Sequence, residues 1–242
     1  MNGNFFKGKV FAITGANGTL GKSLTKLLKQ KEAFVIGLSH KLNVDEKNEE
    51  APDRWILWEC GKENDLIGIL SEIDILIINH GINTNHNIDD DITKSIEINA
   101  MSSWRLIKIF EKLNNSHKKN SPREIWVNTS EAEILPAFSP TYELSKVLIG
   151  QIVSLKKNTA SKKDKEKLIF RKLVLGSFKS SLNPIGILNS EFVANQILKL
   201  ANKGFSLIIV SPNPITYLLM PIVEFYRFTY SKLINNLNKY FK

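Results

Sequence analysis

The chain has 242 residues, 43% apolar and 24% charged, with a formal net charge of +9, the composition of an ordinary globular protein with room for one large core. Its single cysteine, Cys60, excludes an intrachain disulfide framework and fits a reducing, cytoplasmic setting. The opening residues carry no h-region or cleavage site, so no exported leader is expected. Much of the basic surplus falls in residues 156–167 (KKNTASKKDKEK), which lack interleaved aromatics and read as a solvated helix end plus loop. No nucleic-acid module accompanies it, so nucleic acid is not expected as a partner.

Residues 10–14 (VFAIT) read as a buried strand, and Leu20, Leu24, Leu27 and Leu28 then recur at the spacing of a helix with one face on a sheet. Residues 34–38, 55–58 and 73–78 read as the second to fourth strands, their continuous apolar runs suiting strands covered on both faces. The polar stretch 82–95 reads as a connection, with Asp89, Asp90 and Asp91 as a helix cap and solvated loop, leading to a helix over about 96–113. A loop precedes a fifth strand at 124–129. A helix from 142 to about 156, a sixth strand at 168–175, a helix at 190–203 and a seventh strand at 205–210 complete the alternation. This order predicts an α/β chain, a single Rossmann-type doubly wound parallel sheet of about seven strands over residues 1–211. Residues 212–242 are left as an apolar, basic and helical C-terminal tail.

Thr14, Gly15, Ala16, Asn17, Gly18, Thr19, Leu20 and Gly21 fall between the first strand and its helix, the context a dinucleotide turn requires. Gly15 permits the turn, Gly18 lets backbone approach a pyrophosphate, and Gly21 allows helix and strand to pack closely. At the end of the second strand, where an acid would hold a ribose 2′-hydroxyl, stand Ser39, His40 and Lys41. A hydroxyl, an imidazole and an ammonium suit a 2′-phosphate, so NADP(H) is preferred, with NAD(H) open. Tyr142 and Lys146 stand four apart on one helix face. A phenol, with an ordinary pKa near ~10, is a poor acid or base at neutral pH unless a cation eases its ionisation. His80 reads as a packed, hydrogen-bonded histidine, and no metal motif appears.

These residues resemble the short-chain dehydrogenase/reductase family, in order over nearly the whole domain. Thr14 to Gly21 is similar to its cofactor turn, Asn79, His80 and Gly81 to its fourth-strand end, and Asn99 to its helix asparagine. Asn128, Thr129 and Ser130 resemble its serine segment, Tyr142 and Lys146 its catalytic pair, and Gly176 with Ser180 its element after the sixth strand. More loosely, INHGIN, WVNTSEAE and NPITYLL resemble a subgroup labelled sterol-desaturase-associated short-chain dehydrogenases. The resemblance implies that Tyr142 exchanges a proton with a substrate oxygen to which Ser130 also donates. It implies that Lys146 binds the nicotinamide ribose and tunes Tyr142, and that Asn99 holds a water leading to solvent. Counting back from Tyr142 reaches Thr129 instead of Ser130, so the hydroxyl stays open between the two. Thr19 stands where the family's turn has a glycine, Leu175 where it has a proline, and Cys60 near where an adenine-contacting aspartate is expected.

The reaction implied is interconversion of an alcohol and a carbonyl on a small, lipophilic molecule. Two alternatives remain: a non-catalytic nucleotide-binding or membrane-associated protein, and a sugar-nucleotide epimerase or dehydratase, suggested by the glycine spacing and Glu131. About 30 residues follow the last predicted strand, too few for the substrate domain that the latter needs. The short stretch from Gly176 to Ser190 is expected to leave the pocket open. Residues 215–228 (ITYLLMPIVEFYRF), with Lys232, Lys239 and Lys242 beyond, read equally as a peripheral membrane-interface segment or as packing over the cleft or a dimer interface. A homodimer or homotetramer is expected from the resemblance.

Overall fold

The computed structural model describes residues 5–41, 51–84, 88–114 and 121–240. Residues 85–87 of the polar connection, most of the loop ahead of the fifth strand, and Phe241 and Lys242 of the tail lie outside the described residues. Seven strands form one sheet: β1 (Val10–Thr14), β2 (Phe34–Ser39), β3 (Arg54–Leu57), β4 (Ile75–Ile78), β5 (Arg123–Ser130), β6 (Leu168–Leu175) and β7 (Leu207–Val210). They lie in the order β3-β2-β1-β4-β5-β6-β7, every pair parallel. The chain reverses its direction of travel across the sheet between β1 and β4, which opens a crevice at the carboxyl ends of those strands.

Helices cover both faces. α1 (Thr19–Gln30) buries Leu20, Leu24 and Leu28 against Phe11, Ile13, Ile75 and Ile77. α2 (Ile67–Glu72), α3 (Ile88–Ser95), α4 (Ser103–Asn114) and α5 (Pro140–Thr159) follow in the chain. Leu70, Leu106, Phe110, Ile149 and Val153 from α2, α4 and α5 join Ala12, Leu76 and Ile78 on the second face. Residues one apart on a strand thus enter different cores, which is why these strands are apolar throughout. α6 (Lys162–Lys167) is short, α7 (Ser190–Asn202) packs beside α1, and α8 (Pro214–Tyr240) runs along α5.

Three expectations are corrected. The connection at 82–95 is already helical from Ile88: α3 passes through a π-helical stretch (Ile96–Ser102) into α4, so Asp90 and Asp91 lie within the helix's first turn. Carboxylates at a helix start are favoured by its dipole, so a polar stretch there does not argue for a loop. Residues 162–167 form α6 instead of a loop, closed by a capping box between Ser161 and Asp164. β7 begins at Leu207, two residues after the expected start, and Pro221 lies inside the tail helix.

One polar cluster is buried between β6, α5 and α8. Lys172, with a wholly buried side chain in the middle of β6, donates to Glu133 Oε2 at 2.7 Å and Glu224 Oε1 at 2.9 Å. It also donates to Ser154 Oγ at 3.0 Å and Gly150 O at 3.1 Å. Arg227 closes the ring, its Nη1 lying 3.2 Å from Glu133 and 3.0 Å from Glu224. Two cations and two carboxylates leave no net charge, the condition under which burying them is tolerable. Removing the Glu133 carboxyl leaves Lys172 and Arg227 sharing one partner. Glu133→Ala is expected to lower unfolding free energy in urea by about 3 kcal/mol; a loss below about 1 kcal/mol would show that the cluster does not hold the tail helix in place.

Candidate active site

Gly15 has φ of +63°, and a Cβ there would stand 3.0 Å from His80 Cα. A Cβ on Gly21 would meet Gly15 O at 2.4 Å, so the first turn of α1 can lie against the loop only without one. Among the described residues no side chain caps the N-terminus of α1, and no acid sits in its first turn. The result is an uncapped helix start with backbone N–H groups facing the crevice, a cradle that fits a dinucleotide's pyrophosphate.

From this turn a chain of hydrogen bonds crosses the strand ends. Asn79 Nδ2 donates to Gly15 O at 3.2 Å, Asn128 Nδ2 donates to Asn79 Oδ1, and Lys146 Nζ donates to Asn128 O at 3.2 Å. The ammonium of Lys146 lies 5.5 Å from the centre of the Tyr142 ring. Asn128 Oδ1 is buried without a partner among the described residues, an acceptor left for a donor on a bound molecule. Ser139 caps α5 by accepting from Tyr142 N, which fixes where the tyrosine enters the helix. Asn99 lies in the π-helical stretch: its Oδ1 accepts from Ile82 N at 2.8 Å and its Nδ2 donates to Ser145 Oγ at 2.8 Å. It thereby ties the segment after Gly81 to α5, and a Cβ on Gly81 would lie 3.0 Å from its oxygen.

Thr129 and Ser130 point to opposite sides of β5. The Thr129 hydroxyl donates to Leu173 O at 3.2 Å, whereas Ser130 Oγ accepts from Ala132 N at 3.2 Å and keeps its own proton for another acceptor. Glu131 Oε2 accepts hydrogen bonds from the hydroxyls of Ser211 and Thr216. It joins the end of β5 to the start of α8.

The remaining predicted residues fall into three groups. Ser39, His40 and Lys41 lie beside the glycine turn, where Asn17 Nδ2 reaches Lys41 O at 3.5 Å; the Ser39 hydroxyl bonds the Lys41 backbone, while His40 and Lys41 face solvent. Thr14 lies in the crevice and Thr19 and Leu20 begin α1. Gly176 packs on Ser211 and Pro212, and Ser180 closes a local turn by accepting from Asn183 N at 3.2 Å. The short stretch after β6 does not leave the cleft wholly open, because Asn83 Nδ2 reaches Leu182 O across it at 3.4 Å. Asn128 is the residue that sequence reasoning left out of the site. Its signal was an amide that opens the polar end of β5, after the apolar residues Ile125, Trp126 and Val127.

His80 is held on both sides. Its Nε2 lies 3.1 Å from Ile98 O, which can only accept, so Nε2 carries the proton and Nδ1 accepts from the Thr14 hydroxyl at 2.8 Å. Burial, and then the charge of Lys146, pushes its pKa down from 6.5 to about 4. The folded protein therefore keeps this imidazole neutral while the unfolded chain takes up a proton, and stability present above pH 6.5 is lost as pH falls toward 4. Wild type is expected to lose about 2 kcal/mol between pH 7 and pH 5 that His80→Gln does not lose. Parallel pH profiles of Tm for the two proteins would disprove the assignment.

Residues 11–137 match the NAD dependent epimerase/dehydratase family. Over 224 residues, 91% of this chain, the sequence is 40% identical to the monoglucosyldiacylglycerol epimerase of Synechocystis. The chain spans about half of that relative, 53% of its length. A short chain dehydrogenase from Burkholderia cenocepacia, solved in complex with NADP, shares the fold with a TM-score of 0.73 at 14% identity, over 89% of this chain and 92% of that one. Another, from Leptospira borgpetersenii with bound NAD+, gives 0.71 at 17% identity, over 87% of this chain and 94% of that one. With its strand order, its cradle and a family match over half its length, the chain belongs to the NAD dependent epimerase/dehydratase family, among the short-chain dehydrogenases/reductases.

Proposed function

We propose that this chain interconverts a secondary alcohol and its carbonyl, with NADP(H), on a lipophilic molecule met at a membrane surface. The observation that carries the reading is the run of hydrogen bonds from Gly15 through Asn79 and Asn128 to Lys146, which fixes the lysine relative to the cofactor cradle. When bound, the nicotinamide supplies the hydride or takes it up. Tyr142 gives a proton to the substrate oxygen or removes one, Ser130 donates to the same oxygen, and Lys146 places positive charge beside the phenol, where charge develops during the reaction. Asn99 positions α5 through Ser145, and the resemblance assigns it a water leading from Lys146 to solvent. The side chains of Phe138, Ile185 and Ile187 are exposed on segments that follow β5 and β6, an apolar rim suited to a lipophilic guest.

A second reading, epimerisation, is favoured by the 40% identical relative, whose name describes a sugar carried on diacylglycerol. The same three side chains serve it. The alcohol is oxidised, the carbonyl turns in the pocket, and reduction from the other face inverts one carbon with no net use of cofactor. A hexosyl diacylglycerol unites both readings as a lipophilic secondary alcohol.

The test is incubation with monoglucosyldiacylglycerol and with simple lipophilic ketones, following nicotinamide absorbance and sugar configuration together. Net absorbance change supports oxidoreduction, inversion without it supports epimerisation, and neither, in a protein that binds the cofactor, defeats both. Ser130→Ala is expected to lower kcat about 100-fold and Tyr142→Phe about 1000-fold, with Thr129→Val within about threefold of wild type. Equal losses at 129 and 130 would reverse the choice of hydroxyl. Lys41→Glu is expected to weaken NADPH at least about tenfold while sparing NADH; equal weakening of both would remove the 2′-phosphate from the reading.

A further inference from the structure

The helix α8 is amphipathic in the wrong sense for water. Between Pro214 and Ser231 its only charged side chains are Glu224 and Arg227, and both turn inward to the Lys172 cluster. Leu218, Ile222, Phe225, Tyr226, Tyr230 and Leu233 point outward at three- and four-residue intervals, with Leu218 64% and Phe225 68% exposed. A surface helix facing water normally has its polar stripe outside. An uncharged stripe of this length instead marks an apolar neighbour. No helix among the described residues is long and apolar enough to cross a membrane, so the stripe fits a helix lying in a surface.

Beside this helix, Phe228 forms one wall of a cavity of about 310 Å³. Its other walls bring together Leu168 and Phe170 with Lys157 and Lys165, and no carboxylate among the described residues lines it. Asn158 Nδ2 is buried there without a partner among the described residues. Burial holds the Lys157 ammonium below its ordinary pKa, against the opposing charge of Glu224. Lys232 adds charge 4.4 Å from the Phe228 ring. The cavity is far from Tyr142: β6 runs from Leu168 beside it to Leu175, paired with Ser130, roughly 23 Å away.

We propose that α8 lies in the surface of an anionic lipid bilayer, its outward stripe among the acyl chains and the lysine-lined cavity beside Phe228 holding an anionic headgroup. The proposal rests on the reading of a lipophilic substrate and says how the enzyme meets it. Charge complementarity selects the occupant: a chain of net charge +9 presents an apolar face flanked by lysines. α8 is about 40 Å long and begins where Thr216 bonds Glu131, next to Ser130. Seating it along its length therefore holds the catalytic strand ends at the bilayer surface.

The experiment is co-sedimentation of the full chain with phosphatidylcholine vesicles and with vesicles in which about a third of the lipid is phosphatidylglycerol. Wild type is expected to bind the second at least about tenfold more tightly, and less so in high salt. Leu218→Ser with Phe225→Ser should weaken binding about tenfold at unchanged Tm, since both side chains are exposed. Lys157→Gln with Lys165→Gln should narrow the difference between the vesicles. Wild type that ignores both vesicles, or apolar-face variants that bind as wild type does, would overturn the proposal. So would light scattering in which those variants turn a dimer into monomers, which would assign the face to a second copy of the chain. Turnover of detergent-dispersed substrate separates the two readings: if it persists while vesicle binding is absent, only the docking fails; if Tyr142→Phe leaves it intact while vesicles bind, only the chemistry fails.

Discussion

Where β1 and β4 end, two backbones meet with no room for a side chain between them. Gly15 stands against His80, its N–H bonded to Leu38 O at 2.9 Å, and the Thr14 hydroxyl receives the N–H groups of Asn79 and His80 at 2.8 and 3.2 Å. This contact sets the width of the crevice at the point where the strands lead off in opposite directions. The start of α1, the amides of Asn79 and Asn128, and through them Lys146, take their positions from it. The glycine turn and Lys146 are thus referenced to one close approach, so the proposed cofactor cradle and the proposed reacting groups share a common origin of position.

A second constraint acts at the other flank. Lys172 would be a costly residue in the middle of a parallel strand, and the structure compensates it with Glu133 from the segment after β5 and Glu224 from α8, whose second negative charge Arg227 balances. A helix recruited for its charges must turn them inward, and the apolar residues on its opposite side, Leu218, Ile222 and Phe225 among them, are left outside while Met220 is buried. The outward stripe of α8 is thus a geometric corollary of the buried ring. Glu131, held by Ser211 and Thr216, extends the same logic to the residue beside Ser130.

The sheet was legible because β1, β2 and β4 are buried almost throughout and read as apolar runs, and the glycine turn because its flanking strand and helix supplied the required context. The start of α3 was not, since its first turn is acidic and gives no apolar period. Serine and threonine at 129 and 130 look alike in a sequence; only the pleat of β5, which sends one hydroxyl to Leu173, separates them. Tail residues 215–228 were legible as apolar, but which way Glu224 and Arg227 face depends on Lys172, distant in the chain. Lys172 itself reads only as an interruption in a strand. Pairings of that kind have no local signature, and they account for most of what the sequence withheld.

The ring around Lys172 also governs how such a chain can change over generations. Its four charges balance, and Gly150 leaves the space the Glu133 carboxyl fills, a Cβ there lying 2.0 Å from it. No one of these five positions can drift alone without stranding a charge or closing that space. Descendants of this chain should therefore keep the set whole or exchange it together for apolar side chains. In the second case α8 would lose its reason to face inward with its polar side, and the surface it shows to its surroundings would be free to become an ordinary one.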